Sequence, residues 1–123
     1  MLIENSSDLI VSVEPVTLSS GRAADAAQLI NGTVLLIAAD ALALYRSREQ
    51  IGDPLGNGLI RSVPLAQPLA AENGRFLLEH RAGYVGLSGG YVLLITLNDV
   101  QLFAGKDDAL HNRGELARLS LAF

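Results

Sequence analysis

Gly32-Thr-Val-Leu-Leu-Ile-Ala-Ala-Asp-Ala-Leu-Ala-Leu-Tyr45 returns 58 positions further along the chain as Gly90-Tyr-Val-Leu-Leu-Ile-Thr-Leu-Asn-Asp-Val-Gln-Leu-Phe103. Six of the fourteen positions are identical, and Asp40/Asn98, Leu42/Val100 and Tyr45/Phe103 pair like with like. In each copy a glycine precedes a run of branched apolar residues, a polar residue breaks the run, and the apolar pattern then resumes. That is the signature of two strands joined by a tight turn. Residues 33–46 and 91–104 therefore read as equivalent β-hairpins, with Asp40 and Asn98 at their tips. A half-unit of this size is too small to bury a good core alone. The two copies are predicted to form one pseudo-symmetric domain in which each sheet supplies the other's apolar partner.

The rest of the chain follows period two over most of its length. Leu9, Val11 and Val13 share one parity, and Pro15 is expected to break the ladder, because proline has no N–H to donate. Residues 22–30 are open between strand and short helix: alanine favours helix, yet the segment occupies the place of a strand in the repeat. The polar stretch 47–58, with Gly52-Asp53-Pro54 and Gly56-Asn57-Gly58, reads as an exposed joint between the halves. Leu59-Ile-Arg-Ser-Val63 echoes Leu9-Ile-Val-Ser-Val13 and is taken as the opening of the second half. After a Pro/Ala-rich loop, Phe76 and Leu78 are expected to face inward, with Arg75, Glu79 and Arg81 outward. A polar loop from Gly105 to Glu115 leads to a last strand carrying Leu119, Leu121 and Phe123 on one face. The expected fold is all-β: a single antiparallel two-sheet sandwich over residues 1–123, jelly-roll-like or Ig-like, with eight or nine strands. Its halves would be about 9–47 and 59–104, with a final strand at 116–123.

Composition narrows the function classes. The chain has 123 residues, half of them apolar, with a formal charge of −4 and no cysteine. A chain of this length buries about 65–70% of its unfolded surface and needs no staples. The missing cysteines exclude disulfides and thiolate metal sites. The acidic balance and eight scattered arginines with a single lysine, Lys106, argue against nucleic acid as a partner, since binding it requires clustered cations. No leader is legible in Met1–Asp8, and the longest apolar stretch, Val34–Leu44, is interrupted by Asp40 and too short to span a bilayer, so no membrane partner is expected.

Candidate chemistry is sparse. His80 alternates with Glu79 across a strand, which sends the two side chains to opposite faces. His111 shares a loop with Asp107, Asp108, Asn112 and Glu115, an oxygen-rich set that lacks the Asp-x-Asp-x-Asp-Gly spacing of a calcium loop. Gly83-x-x-Gly86-x-x-Gly89-Gly90 lies between strands, without the helix N-terminus that phosphate cradles use. No nucleophile elbow is present. The reading is a non-enzyme without cofactor or metal, whose function lies in its surface. Tyr84, Val85, Leu87 and Tyr91, flanked by glycines, together with Asp40, Asn98, Arg46 and Arg48 and the loop 64–71, are the candidate protein contacts.

The run Pro15-Val-Thr-Leu-Ser-Ser-Gly-Arg22, the turn Asn31-Gly32 leading into an apolar strand, Leu42-Ala-Leu-Tyr45 and Gly52-Asp-Pro-Leu55 together resemble small β-sandwich structural proteins of tailed-phage particles. These include capsid decoration (cement) proteins and head–tail or tail accessory proteins. The similarity covers residues 9–60. It implies a non-enzymatic virion protein that stabilises a particle lattice by contacts with protein subunits, a major capsid lattice among them, and by self-association. It also implies a place on the capsid surface; without it, a soluble cytoplasmic protein is expected. The alternative reading is a ligand-binding sandwich of the carbohydrate-binding kind, to which the absence of tryptophan gives little stacking surface.

Overall fold

The computed structural model describes residues 9–18, 21–51, 58–81, 84–96 and 98–121. Two antiparallel five-stranded sheets pack face to face. The first runs β1 (Ile10–Thr17), β2 (Ala23–Leu29), β3 (Val34–Ala38), β4 (Ala41–Tyr45) and β5 (Leu59–Pro64). The second contains β6 (Leu77–Arg81), β7 (Tyr84–Leu87), β8 (Val92–Ile95), β9 (Asp99–Phe103) and β10 (Ala117–Ser120). In both sheets each strand pairs only with its neighbours in sequence, so the sandwich is built of two meanders rather than Greek keys. Among the described residues there are ten strands rather than eight or nine, and a short helix, α1 (Lys106–Leu110), lies in the loop before β10.

The two meanders are the two repeats. The pairing Gln28↔Val34 recurs as Gly86↔Val92, and Leu36↔Ala43 as Leu94↔Gln101, which keeps the 58-residue shift through β2–β4 and β7–β9. The first strands correspond with a shift of 67, since Ile10 opposes Leu29 as Leu77 opposes Leu87. Both carry a register shift at the same place, Ile10/Ser12 and Leu77/Glu79, which leaves Val11 and Leu78 as the extra residues. A bulge turns the extra side chain out of the alternation. This corrects the expectation that Leu78 faces inward: Leu77 is buried and Leu78 is 46% exposed, while Val11 is 62% exposed. Pro15 does not break β1. The strand continues through it, opposite Asp25, because β1 is an edge strand and the missing N–H costs no ladder bond.

Leu59–Val63 does not open the second half. It lies in β5, pairs with β4 and closes the first sheet. Its counterpart is β10, with Leu44↔Arg61 matched by Leu102↔Ala117. Each meander then ends alike: the Leu65 amide donates to the Asp40 carbonyl at 2.8 Å, and the Leu121 amide to the Asn98 carbonyl at 2.9 Å. The joint between the halves is therefore the stretch 65–76, and residues 47–58 form the β4–β5 connection within the first half. Gly32 and Gly90, at φ of 91° and 84°, make the equivalent turns ahead of β3 and β8.

Between the sheets lies one aliphatic core, including Leu35, Ile37, Leu42 and Leu44 from the first sheet and Val85, Leu87, Leu93, Ile95, Val100 and Leu119 from the second. Each such side chain contributes about 1.5–3 kcal/mol on burial. Each sheet also has a small core on its outer face. Val34, Leu36 and the alanines 24, 26, 38 and 43 are packed by Tyr45 and Ile51, the latter just after a 3-10 turn at Arg48–Gln50. On the second sheet Val92 and Phe103 pack with Ala109 of α1. Ile51 and Ala109 are again 58 apart, so both β4–β5 and β9–β10 connections fold back over their own sheet. Burial on both faces explains why the alanine-rich segment 23–29 is a strand: packing overrides the helix preference of alanine.

Candidate functional site

The residues expected to make protein contacts do not form one patch. Val85 and Leu87 are 0% and 2% exposed and belong to the central core, so they are not surface residues. The neighbouring glycine has a packing reason: a Cβ on Gly86 would approach Glu79 Cγ to 3.0 Å. The Tyr84 side chain lies outside the described residues. Tyr91 is half-buried and its hydroxyl donates to Gln67 Oε1 at 3.1 Å. Asp40 and Asn98 are exposed at the hairpin tips; Asp40 accepts from Arg22 Nη1 at 3.0 Å. Arg46 is exposed, whereas Arg48 is tied to Glu14 on β1, strapping the β4–β5 connection to the far edge of its sheet.

Sequence reasoning did not single out Asp25, the most heavily engaged polar side chain in the core. It is 0% exposed, points between the sheets from β2, and accepts from Phe76 N at 2.6 Å, Leu77 N at 2.8 Å and Arg75 Nε at 2.7 Å. Three donors around one carboxylate satisfy a charge that would otherwise be very costly to bury. Asp25 thereby ties the first sheet to the start of β6. At the opposite edge Arg61 Nη1 donates to the Ser120 carbonyl at 2.9 Å, joining β5 to β10. These groups are committed to holding the halves together.

The loop after β9 is equally self-contained. Asp107 and Asp108 face Arg113, and His111 Nδ1 lies 2.9 Å from the Asp107 carbonyl. Glu115 accepts from Gln101 Nε2 at 2.5 Å and from Arg118 Nη2 at 2.8 Å. Among the described residues no group of three or more carboxylate or histidine side chains is placed to hold a metal. The hydrogen bond from Gln101, and then the one from Arg118, hold the Glu115 carboxyl below its ordinary value of 4.5. A group lowered in the folded state stabilises fully above its unfolded value, and that stabilisation disappears as the pH falls through the folded one. Glu115→Gln is therefore expected to lower Tm at pH 7, and the difference from the parent protein should vanish progressively below about pH 4. Melting curves on both proteins from pH 7 to pH 2.5 check this.

The surface also carries aliphatic openings. At one end of the sandwich a cavity of about 120 Å³ is lined by Leu9, Leu29, Ile30, Ile95, Thr96 and Leu121, with Asn31 at its rim. Its polar groups are engaged locally: Asn31 Oδ1 accepts from Thr33 N and Oγ1, and Thr96 Oγ1 accepts from the amides of Asn98 and Asp99. A wider groove on the outer face of the second sheet runs between Leu78, Glu79, Gly86, Val92 and Lys106. Val11, Leu59, Leu110 and Leu116 are further exposed aliphatic residues. No protein-family model, curated protein or solved structure matches the chain.

Proposed function

We propose that the protein is a non-enzymatic structural component of a larger particle, of the capsid decoration kind that its sequence resembles, docking by aliphatic contacts to protein subunits. The observation that carries this reading is the pair of equivalent bulges. At the same point of two edge strands, a bulge turns a large aliphatic side chain, Val11 or Leu78, out into solvent. Both positions thus present an apolar anchor on a rigid, two-sided scaffold, as docking surfaces do. A bulge also blunts the edge against uncontrolled strand addition, which suits a protein displayed in many copies. For the ligand-binding alternative, Tyr91, which lines the outer groove, is half-buried with its hydroxyl tied to Gln67, which makes it a poor stacking platform for a sugar.

The test is a Val11→Asp, Leu78→Asp double variant. Both sites are exposed, so stability should change by no more than about 1 kcal/mol. The parent protein is expected to sediment with a large particle and to raise that particle's resistance to heat, and the variant to stay in the soluble fraction. A parent protein found only as a free monomer, or a variant that remains fully particle-bound, overturns the reading.

A further inference from the structure

Asparagine followed by glycine is chemically labile in water: the next amide nitrogen can attack the side-chain carbonyl carbon, and glycine has no side chain to obstruct it. The attack requires that nitrogen to give up its proton, so an N–H already held by an acceptor is protected. The four described asparagines divide on this point. The amide after Asn31 donates to the Leu29 carbonyl at 3.0 Å, the amide after Asn98 to Thr96 Oγ1 at 3.1 Å, and the amide after Asn112 to the Asp108 carbonyl at 3.1 Å. Asn31 is pinned further, since its Oδ1 accepts from Thr33 N and Oγ1. Asn73 differs. Among the described residues no hydrogen bond engages its carboxamide or the Gly74 amide. Both residues are exposed, and a Cβ on Gly74 would meet nothing within 4 Å.

Asn73-Gly74 is the two-residue loop of a tight hairpin in the joint between the meanders. The two residues have φ of 53° and 80°, as a type I′ turn requires, and Glu72 and Arg75 close it with reciprocal backbone bonds of 2.8 and 3.0 Å. Directly after it come the three donors to Asp25, from Arg75 Nε and the amides of Phe76 and Leu77. Directly before it, Glu72 Oε2 accepts from Gly89 N at 2.9 Å. We propose that Asn73 is a site of spontaneous covalent modification, deamidation to isoaspartate, which loosens the tie between the first sheet and β6 as the protein ages. Gly74 N, its proton lost to hydroxide, bonds to Asn73 Cγ; the Cγ–Nδ2 bond breaks, and Nδ2 leaves as ammonia with a proton from water. Water then opens the resulting cyclic imide. Opening at the main-chain carbonyl gives isoaspartate, and opening at Cγ gives aspartate. Water is the only co-reactant. Isoaspartate routes the main chain through Cβ and Cγ, which adds one backbone carbon to the turn and sets a carboxylate beside Glu72. The reciprocal bonds of Glu72 and Arg75 then no longer fit, and residues 75–77 shift against Asp25.

The test is to incubate the full chain for days in mildly alkaline buffer and to map its peptides by mass spectrometry, with a fragmentation that separates isoaspartate from aspartate. Conversion at Asn73 is expected to run about tenfold or more faster than at Asn31, Asn98 or Asn112, whose following amides are held. The converted protein should melt about 5 °C below the fresh one. Asn73→Gly keeps the turn, because glycine accepts the positive φ, and it has no carboxamide to lose, so the same incubation should leave its Tm unchanged. Asn73→Asp carries the new charge on a main chain of normal length and should melt close to the fresh parent. Conversion at Asn31 as fast as at Asn73, conversion at Asn73 without a fall in Tm, or a fall that Asn73→Gly suffers equally would each overturn the inference. A fresh Asn73→Asp protein that already shows the whole loss would place the effect in the charge and overturn the isoaspartate assignment.

Discussion

Asp25→Ala is expected to lower Tm by about 10–20 °C. The change removes a buried carboxylate and leaves the amides of Phe76 and Leu77 without an acceptor between the sheets. Breaking a buried charged network of this kind costs about 3–5 kcal/mol, and each orphaned amide accounts for about 1–3 of it. In a domain of this length each kcal/mol moves Tm by about 3–5 °C. Arg75→Ala should cost far less, about 1 kcal/mol, because the Arg75 side chain is 37% exposed and water replaces its bond. Thermal unfolding followed by circular dichroism decides the matter. Equal losses for the two variants would show that the ion pair, rather than the two backbone amides, holds Asp25 in place.

Phe103→Ala is the second large loss, about 3–5 kcal/mol. Phe103 is fully buried beneath α1 with Val92 and Ala109, and its removal leaves a hole that five helical residues cannot collapse to fill. Its counterpart Tyr45 is only half-buried over the alanine face of the first sheet. Tyr45→Ala should therefore cost about half as much, since less apolar area is lost and solvent already reaches the site. Chemical denaturation of both variants measures the contrast. The two repeats keep the same architecture on their outer faces, but they weight it differently: a large ring under a small alanine in one, and a flat alanine sheet under Tyr45 and Ile51 in the other.

The hairpins were legible because each carries its own instruction, an apolar run broken by one turn residue. The extent of the repeat was not. Leu59–Val63 shares letters with Leu9–Val13, yet the true partner of residues 9–13 is 76–80, which shares only the order of apolar and polar positions, and that only over its first four residues. Strand pairing is decided by register and by the face each side chain must bury, so four identical letters weigh less than the bulge they leave out. The same bulge explains why strict alternation misplaced Leu78. Asp25 gave one signal, a charge inside an apolar run, but two of its three donors are backbone amides about 50 residues away, and backbone amides have no letter in a sequence. Val85 and Leu87 resembled surface residues because glycines surround them. Those glycines serve the turn at Gly90 and the close passage of Glu79 over Gly86.

The meander order sets a timetable for the growing chain. Residues 9–64 contain every strand of the first sheet, each pairing with its immediate neighbours, so that sheet has all its ladder partners before residue 65 is made. At a synthesis rate of about 5–20 residues per second, residues 65–121 take about 3–11 s more. Throughout that interval the inner face bearing Leu35, Ile37, Leu42 and Leu44 has no covering layer from its own chain. An aliphatic face left uncovered for seconds is exposed to off-pathway contacts with other chains. The exposure ends only when the second meander folds over that face, so translation speed, rather than the stability of the finished sandwich, sets how long it lasts.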